Sequence, residues 1–260
     1  MALFQLIDKV AVVTGGGSGI GRSCAEVLTS QGAHVFLFEL NSTSGEEVAQ
    51  NIRDSGGQCT FIQCDVGDQD SVRRAFKSLD DSVESLDILI NNAGVSHIGN
   101  LEETTEEAMD KVIRVNIKGA FYCLSEAVSR MKRSGGGRIV NIASSAVWVG
   151  ISDRFAYSMS KAAVANMSLT VAKDYVKDNI QSNSISPGRV HTPFVDQYLS
   201  RHYPGKEKEM FDKLSKTQPI GRMASSDEIA YLALFLSSDE AGFITGSDYV
   251  IDGGLITLNT

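Results

Sequence analysis

Four prolines in 260 residues leave nothing from which to build a Pro-rich linker. No run of about 20 apolar residues is present, so no bilayer-spanning helix is expected. The opening residues MALFQLIDKV lack a basic segment followed by a long apolar one. No signal peptide is expected there, and a cytoplasmic protein is. Cysteine is scarce: Cys24, Cys59, Cys64 and Cys123, with no CxxC spacing. That argues against a zinc or redox motif and for reduced, buried thiols. No metal site is expected. Surplus positive charge is missing too. The net charge is -8 and the pI about 5.1, which argues against nucleic-acid and anionic-membrane partners. The one basic stretch, KRSGGGR (Lys132 to Arg138), reads as a helix C-terminus with its glycines.

What is present is 42% hydrophobic and 22% charged residues, the balance of a globular protein. Short β-branched runs alternate with helical spacing. The strands are expected at Val10–Thr14, His34–Leu40, Gln58–Val66, Leu86–Gly94, Gly137–Ser145, Ile180–Gly188 and Ser247–Gly254. Between them, helices are expected at Ile20–Ser30, Glu46–Ser55, Gln69–Val83, Thr105–Met131, Phe155–Asp178 and Asp227–Leu236. No composition break interrupts the rhythm. It implies one Rossmann-type α/β domain over 1–260: a doubly wound, seven-stranded parallel sheet with helices on both faces. The least regular stretch, Thr192 to Pro219, is either a lid or substrate segment or a surface insertion.

The run TGGGSGIGR (Thr14 to Arg22) follows the first strand and opens the first helix. Gly15, Gly19 and Gly21 are placed for a tight turn, a close approach to a pyrophosphate, and helix–strand packing. The helix N-terminus then offers free N–H groups to phosphate. Glu39 closes the second strand, 18 positions after Gly21. A carboxylate there hydrogen-bonds adenosine ribose hydroxyls and repels a 2′-phosphate. Ser18 and Leu40, where a phosphate-binding form favours a cation, are not basic. Arg22 should point down the first helix turn. NAD is expected over NADP. Tyr157 and Lys161 lie four apart on an expected helix and share a face. An ammonium beside a phenol lowers its pKa, so that Tyr157 accepts or donates a proton.

Taken in order, TGGGSGIG, CDV (Cys64 to Val66), NNAG (Asn91 to Gly94), YSMSK (Tyr157 to Lys161), PGRVHT (Pro187 to Thr192) and DGG (Asp252 to Gly254) make the chain resemble the short-chain dehydrogenase/reductase family along essentially its whole length. The resemblance implies a catalytic set of Asn116, Ser144, Tyr157 and Lys161. Ser144 would hold the substrate oxygen, with Ser145 the competing candidate by sequence alone. Asn116 would keep a water beside the lysine. It further implies cofactor contacts at Gly15, Ser18, Gly19, Ile20, Gly21 and Glu39. Asp65 and Val66 would meet adenine, and Asn92 the adenosine side. Lys161 would bond the nicotinamide ribose, and Pro187, Val190 and Thr192 would meet the nicotinamide. Family members commonly form tetramers through the long helices, the alternative being a dimer.

The substrate is less legible. Arg154, Arg189 and His191 lie near the expected site, and two guanidinium groups suit a carboxylate or several hydroxyls. The alternative is an intersubunit or surface ion pair. Trp148 is either a wall that stacks on a sugar ring or ordinary packing. The segments from PGRVHTPF to ALFLSSDEAGFITG resemble members that oxidise sugars or sugar acids, including those of L-fucose breakdown. The rival readings are a 3-hydroxy acid dehydrogenase, a 3-oxoacyl carrier-protein reductase, and a non-catalytic NAD-binding regulator.

Overall fold

The computed structural model describes residues 3–258; the outermost two residues at each end of the expected 1–260 domain lie outside it. Seven parallel strands form one sheet in the order β3-β2-β1-β4-β5-β6-β7. They are β1 (Val10–Thr14), β2 (His34–Glu39), β3 (Gln58–Gln63), β4 (Ile88–Asn91), β5 (Gly137–Ile142), β6 (Ile180–Pro187) and β7 (Asp248–Ile251). β1 and β4 are buried at every position, which is why they read as continuous apolar runs without alternation.

Helices cover both faces. On one lie α1 (Gly19–Ser30), α2 (Ser42–Asp54) and α9 (Ser226–Ser237). Their side chains Cys24, Leu28, Val48 and Ile229 meet Val13, Val35 and Leu37 of the sheet. On the other lie α3 (Gln69–Asp80), α5 (Gly119–Ser134) and α6 (Phe155–Tyr175), with Phe76, Cys123, Leu124 and Met131 against Val12, Phe36 and Phe38. Phe38 and Phe76 pack edge to face at 5.1 Å. Each such buried ring contributes about 1.5–3 kcal/mol. All four thiols are buried in these layers, as expected. α5 ends at Gly135, whose φ of 89° suits the left-handed cap that the KRSGGGR stretch implies.

Two elements depart from expectation. The stretch Thr105–Met131 is helical from Glu106 onward but is not regular α-helix throughout. α4 (Glu106–Val112) passes into a wider turn, Ile113–Lys118, before α5 begins. The irregular stretch 192–219 is largely helical, as α7 (Pro193–His202) and α8 (Glu207–Ser215). Pro193 stands in the first turn of α7, where its missing N–H costs nothing, and Glu207 and Glu209 favour the start of α8. Among the described residues no helix is long and apolar enough to cross a membrane.

The strand order reverses between β1 and β4, and this opens a crevice beyond their carboxyl ends. A buried polar chain runs beneath it. Asn91 donates to Asn141 Oδ1 (3.0 Å), and Asn141 donates to Ser168 Oγ (3.0 Å). It ties β4 and β5 to α6, the helix that carries Tyr157. Buried polar groups satisfied in this way fix a single register between elements.

Candidate active site

The glycine loop fills one side of the crevice. Gly15 has φ +64°, and a Cβ on it would come within 2.9 Å of the Ala93 Cα. A Cβ on Gly21 would collide with the Gly15 carbonyl oxygen. Only hydrogen fits at either position. Ser18 caps α1 in extended conformation, and its side chain accepts no bond from the helix. No acidic residue stands in the first turn. The positive end of α1, including Ile20, is therefore free for an anion. Arg22 turns along the helix to Glu26 (2.8 Å), as expected.

Glu39 lies over this loop. Its carboxylate accepts from the Gly17 N–H (3.0 Å) and from the Asn41 N–H (3.0 Å). Asp65 accepts from the Gly67 N–H (2.8 Å) and pairs with Arg114 (3.0 Å). The Val66 side chain is buried in the core beneath Gly119. Asn92 reaches the glycine loop. Its amide donates to the carbonyls of Thr14 (3.0 Å) and Gly15 (3.1 Å), so it holds the loop itself in shape. Thr192 closes the far side, its methyl 3.2 Å from where a Cβ on Gly19 would sit. Pro187 ends β6, and Val190 is buried and bridges to Ala224.

The expected catalytic side chains converge at the mouth of β5. Ser144 stands close enough to Tyr157 to bear on its phenol, and its Oγ accepts from the Ala146 N–H (3.2 Å), whereas Ser145 turns into the short helical turn that follows β5. Lys161 is buried and donates to the Ile142 carbonyl (2.7 Å). Burial lowers its pKa to about 8. The wide turn between α4 and α5 presents Asn116 inward. Its Oδ1 accepts from the Val95 N–H (2.7 Å), and its Nδ2 donates to the Val95 carbonyl (2.9 Å) and to Ser160 Oγ (2.9 Å). Widened turns of this kind recur where a helix must aim one side chain at a site. A Cβ on Gly94 would lie 3.3 Å from Asn116 Oδ1 and 3.5 Å from Lys161 Nζ. Gly94, Val95 and Ser160 are thus parts of the site that sequence reading did not single out. The glycine of NNAG and the second serine of YSMSK were their visible signals.

The phenol of Tyr157 departs from the expected direction. Burial raises its pKa above the ordinary value, and the nearby Ser144 hydroxyl and the charge of Arg154 oppose this. Lys161 does not hold it down, because its ammonium is 5.9 Å from the ring centre and is turned to Ile142.

The remaining candidates separate. Arg154 immediately precedes α6, and Arg189 follows β6. His191 meets α7 and α8, bonding Asp196 (2.9 Å) and packing edge to face on Phe211. Trp148 donates its indole N–H to Asp248 (2.5 Å) and is half exposed.

A glycine cradle at a bare helix N-terminus, beside a Ser–Tyr–Lys set on a doubly wound sheet, defines a nicotinamide-dependent oxidoreductase. The comparisons agree. Residues 15–256 match the family model described as enoyl-(acyl carrier protein) reductase. An uncharacterized oxidoreductase of Thermotoga maritima is 39% identical over 95% of this chain and 96% of its own. An NAD-dependent glycerol dehydrogenase of Listeria innocua is 36% identical over 96% and 95%. The crystal structure of L-sorbose reductase from Gluconobacter frateurii, complexed with NADPH and L-sorbose, superposes with a TM-score of 0.94 at 30% identity, covering 98% and 99%. The chain belongs to the short-chain dehydrogenase/reductase family and is an oxidoreductase acting on alcohol and ketone substrates.

Proposed function

We propose that the protein is an NAD-dependent dehydrogenase of a secondary alcohol in a sugar or sugar acid. The observation that carries the reading is the convergence of Ser144, Tyr157, the buried Lys161 and the inward-turned Asn116 at the carboxyl end of β5, beside the glycine cradle. The cradle fits a dinucleotide: Gly15 and Gly21 leave room only for hydrogen, and α1 has no acid at its start. Gly15, Ser18, Gly19, Ile20, Gly21, Glu39, Asp65, Asn92, Lys161, Val190 and Thr192 would hold it. Glu39, fixed over the loop, favours the ribose hydroxyls of NAD over the phosphate of NADP.

Bound NAD supplies the hydride acceptor. Ser144 holds the substrate oxygen. Oxidation would need Tyr157 in its phenolate form, which would take the substrate O–H proton as the C=O bond forms, while the C–H electron pair would pass to the cofactor as hydride. Lys161, anchored on the Ile142 carbonyl, would meet the ribose of the cofactor, and Asn116 fixes the backbone at Val95 that walls the proton path. Helices α7 and α8 form the lid over the substrate side.

An acyl-carrier-protein reductase is the reading that the family description favours. A net charge of -8 gives an acidic carrier poor docking, and Glu39 opposes NADPH. The test is a panel with NAD: L-fucose, related aldoses, polyols, 2-keto-3-deoxy sugar acids and acyl thioesters. Turnover of acyl thioesters with none on any sugar or sugar acid overturns the proposal. Tyr157→Phe should lower turnover by about 10²- to 10⁴-fold while NADH still binds. Equal turnover by that variant removes Tyr157 from the reaction.

A further inference from the structure

The substrate side of the cleft holds two cations with nothing to neutralise them. Arg154 stands three residues before Tyr157, and its backbone is fixed by a parallel bridge to Gly99. Arg189 is fixed just as firmly. Its N–H donates to Gln218, its carbonyl accepts from the Ala224 N–H (2.9 Å), and its Nε donates to Thr217 Oγ1 (2.9 Å). Among the described residues neither guanidinium pairs with a carboxylate. One terminal nitrogen of Arg154 is buried and finds no hydrogen-bond partner in the protein.

The two charges are close enough to feel each other. Burial, and after it the charge of Arg154, lowers the pKa of Arg189, and both arginines act on Tyr198 of α7. Arg154 also acts on Tyr157, so its charge reaches the reacting end of the site. Arg130 gives the contrast. It too is only partly exposed, yet Asp80 (2.7 Å) and Glu126 (2.7 Å) hold it. A chain with 32 acidic residues has the means to neutralise such a pair, and here it does not. A partly buried guanidinium with an unsatisfied nitrogen and no carboxylate beside it is costly, and an anion bound at Arg154 within reach of the Arg189 charge removes that cost.

We propose that Arg154 and Arg189 form a carboxylate subsite, so that the alcohol oxidised at Tyr157 belongs to a sugar acid or hydroxy acid and not to a neutral sugar or polyol. This rests on the dehydrogenase reading of the same site. Arg154 lies within one helical turn of Tyr157, so the carboxylate and the reacting hydroxyl are near neighbours in the substrate.

The experiment compares matched pairs with NAD at fixed ionic strength: D-gluconate with D-glucitol, and 3-hydroxybutyrate with 2-butanol. Wild type, Arg154→Gln, Arg154→Lys and Arg189→Gln are assayed, with NADH affinity followed by fluorescence. In wild type, kcat/KM for at least one acid should exceed that of its neutral partner by about tenfold or more. Arg154→Gln should lose about 10- to 100-fold on the acid, chiefly in KM, and about tenfold less than that on the neutral partner, which feels only the loss of the Arg154 charge at Tyr157. Arg154→Lys should recover part of the loss, because the charge remains and the fork does not. Without turnover, D-gluconate should raise the melting temperature of the NADH complex in wild type, and D-glucitol should not. Neutral partners turned over as well as the acids, or an Arg154→Gln loss equal on both, overturns the carboxylate subsite and leaves the dehydrogenase standing. NADH binding with no turnover in either series and no stabilisation by the acids overturns both. The wild-type comparison and Arg189→Gln keep the test decisive should Arg154→Gln fail to fold.

Discussion

The two walls of the cleft carry opposite charge, and they are finished to different degrees. On the cofactor wall, the carboxylates of Glu39 and Asp65 are tied down within the chain. Glu39 accepts from Gly17 and Asn41, and Asp65 accepts from Gly67 and pairs with Arg114. On the substrate wall, Arg154 keeps a buried nitrogen without a partner, and neither it nor Arg189 meets a carboxylate among the described residues. The cofactor wall is therefore shaped by backbone and by the absence of Cβ atoms. The substrate wall is shaped by long side chains and charge. Faults in the first should be steric and large. Faults in the second should be selective, falling on one substrate class.

Gly21→Ala is the strongest way to break this contrast. Its Cβ would meet the Gly15 carbonyl oxygen and lie 2.5 Å from Asn92 Nδ2, so the loop must shift. A displacement of about 1 Å is enough to cost ~100-fold. NADH titration by fluorescence should register a loss of that order. Affinity unchanged from wild type would show that the loop tolerates displacement, and the cofactor wall would no longer count as rigid. The Arg154→Gln loss on acids should be of similar or smaller size, and about tenfold greater than on their neutral partners.

A smaller effect is expected from charge on the cofactor wall. Replacing Glu39 by Ser and Leu40 by Arg removes the carboxylate over Gly17 and places a cation at the exposed end of β2. The ratio of kcat/KM for NADP to that for NAD should rise by about 10- to 100-fold. Initial rates with each cofactor measure it. A ratio that stays put would mean that Glu39 orders the loop and does not select the cofactor.

The same contrast explains what the amino-acid string discloses. The glycine loop, Glu39 and the Tyr157–Lys161 pair are local patterns, and each has one physical use. Asn116 is different. Its partners are at Val95, 21 residues away, and the turn that aims it inward is set by those bonds. Helical periodicity over Thr105–Met131 has no way to encode that. The direction of the Tyr157 shift was hidden for a similar reason, since four-residue spacing places Lys161 on the right face while the Ile142 carbonyl captures its ammonium. The helices at 193–202 and 207–215 hide in a mixed, half-exposed sequence, although Pro193 marks the start of the first.

Lys161 sharpens the comparison at its smallest scale, because it belongs to the chemistry and weakens the fold. Its pKa is about 8 in the folded protein against an ordinary 10.5. Burying the ammonium thus costs on the order of 3 kcal/mol. Its charge-assisted bond to the Ile142 carbonyl returns about 1.5–3 kcal/mol of this. Between pH 8 and 10.5 the unfolded chain binds more protons than the folded one, so wild-type stability from this group rises with pH across that window. Lys161→Met should abolish turnover and yet melt as high as wild type at pH 7, or up to about 4 °C higher. Its advantage should shrink as the pH is raised from 8 toward 10.5. Calorimetric scans of both proteins across that range test it. A variant that melts well below wild type at pH 7 would mean that the bond to Ile142 outweighs the burial of the charge.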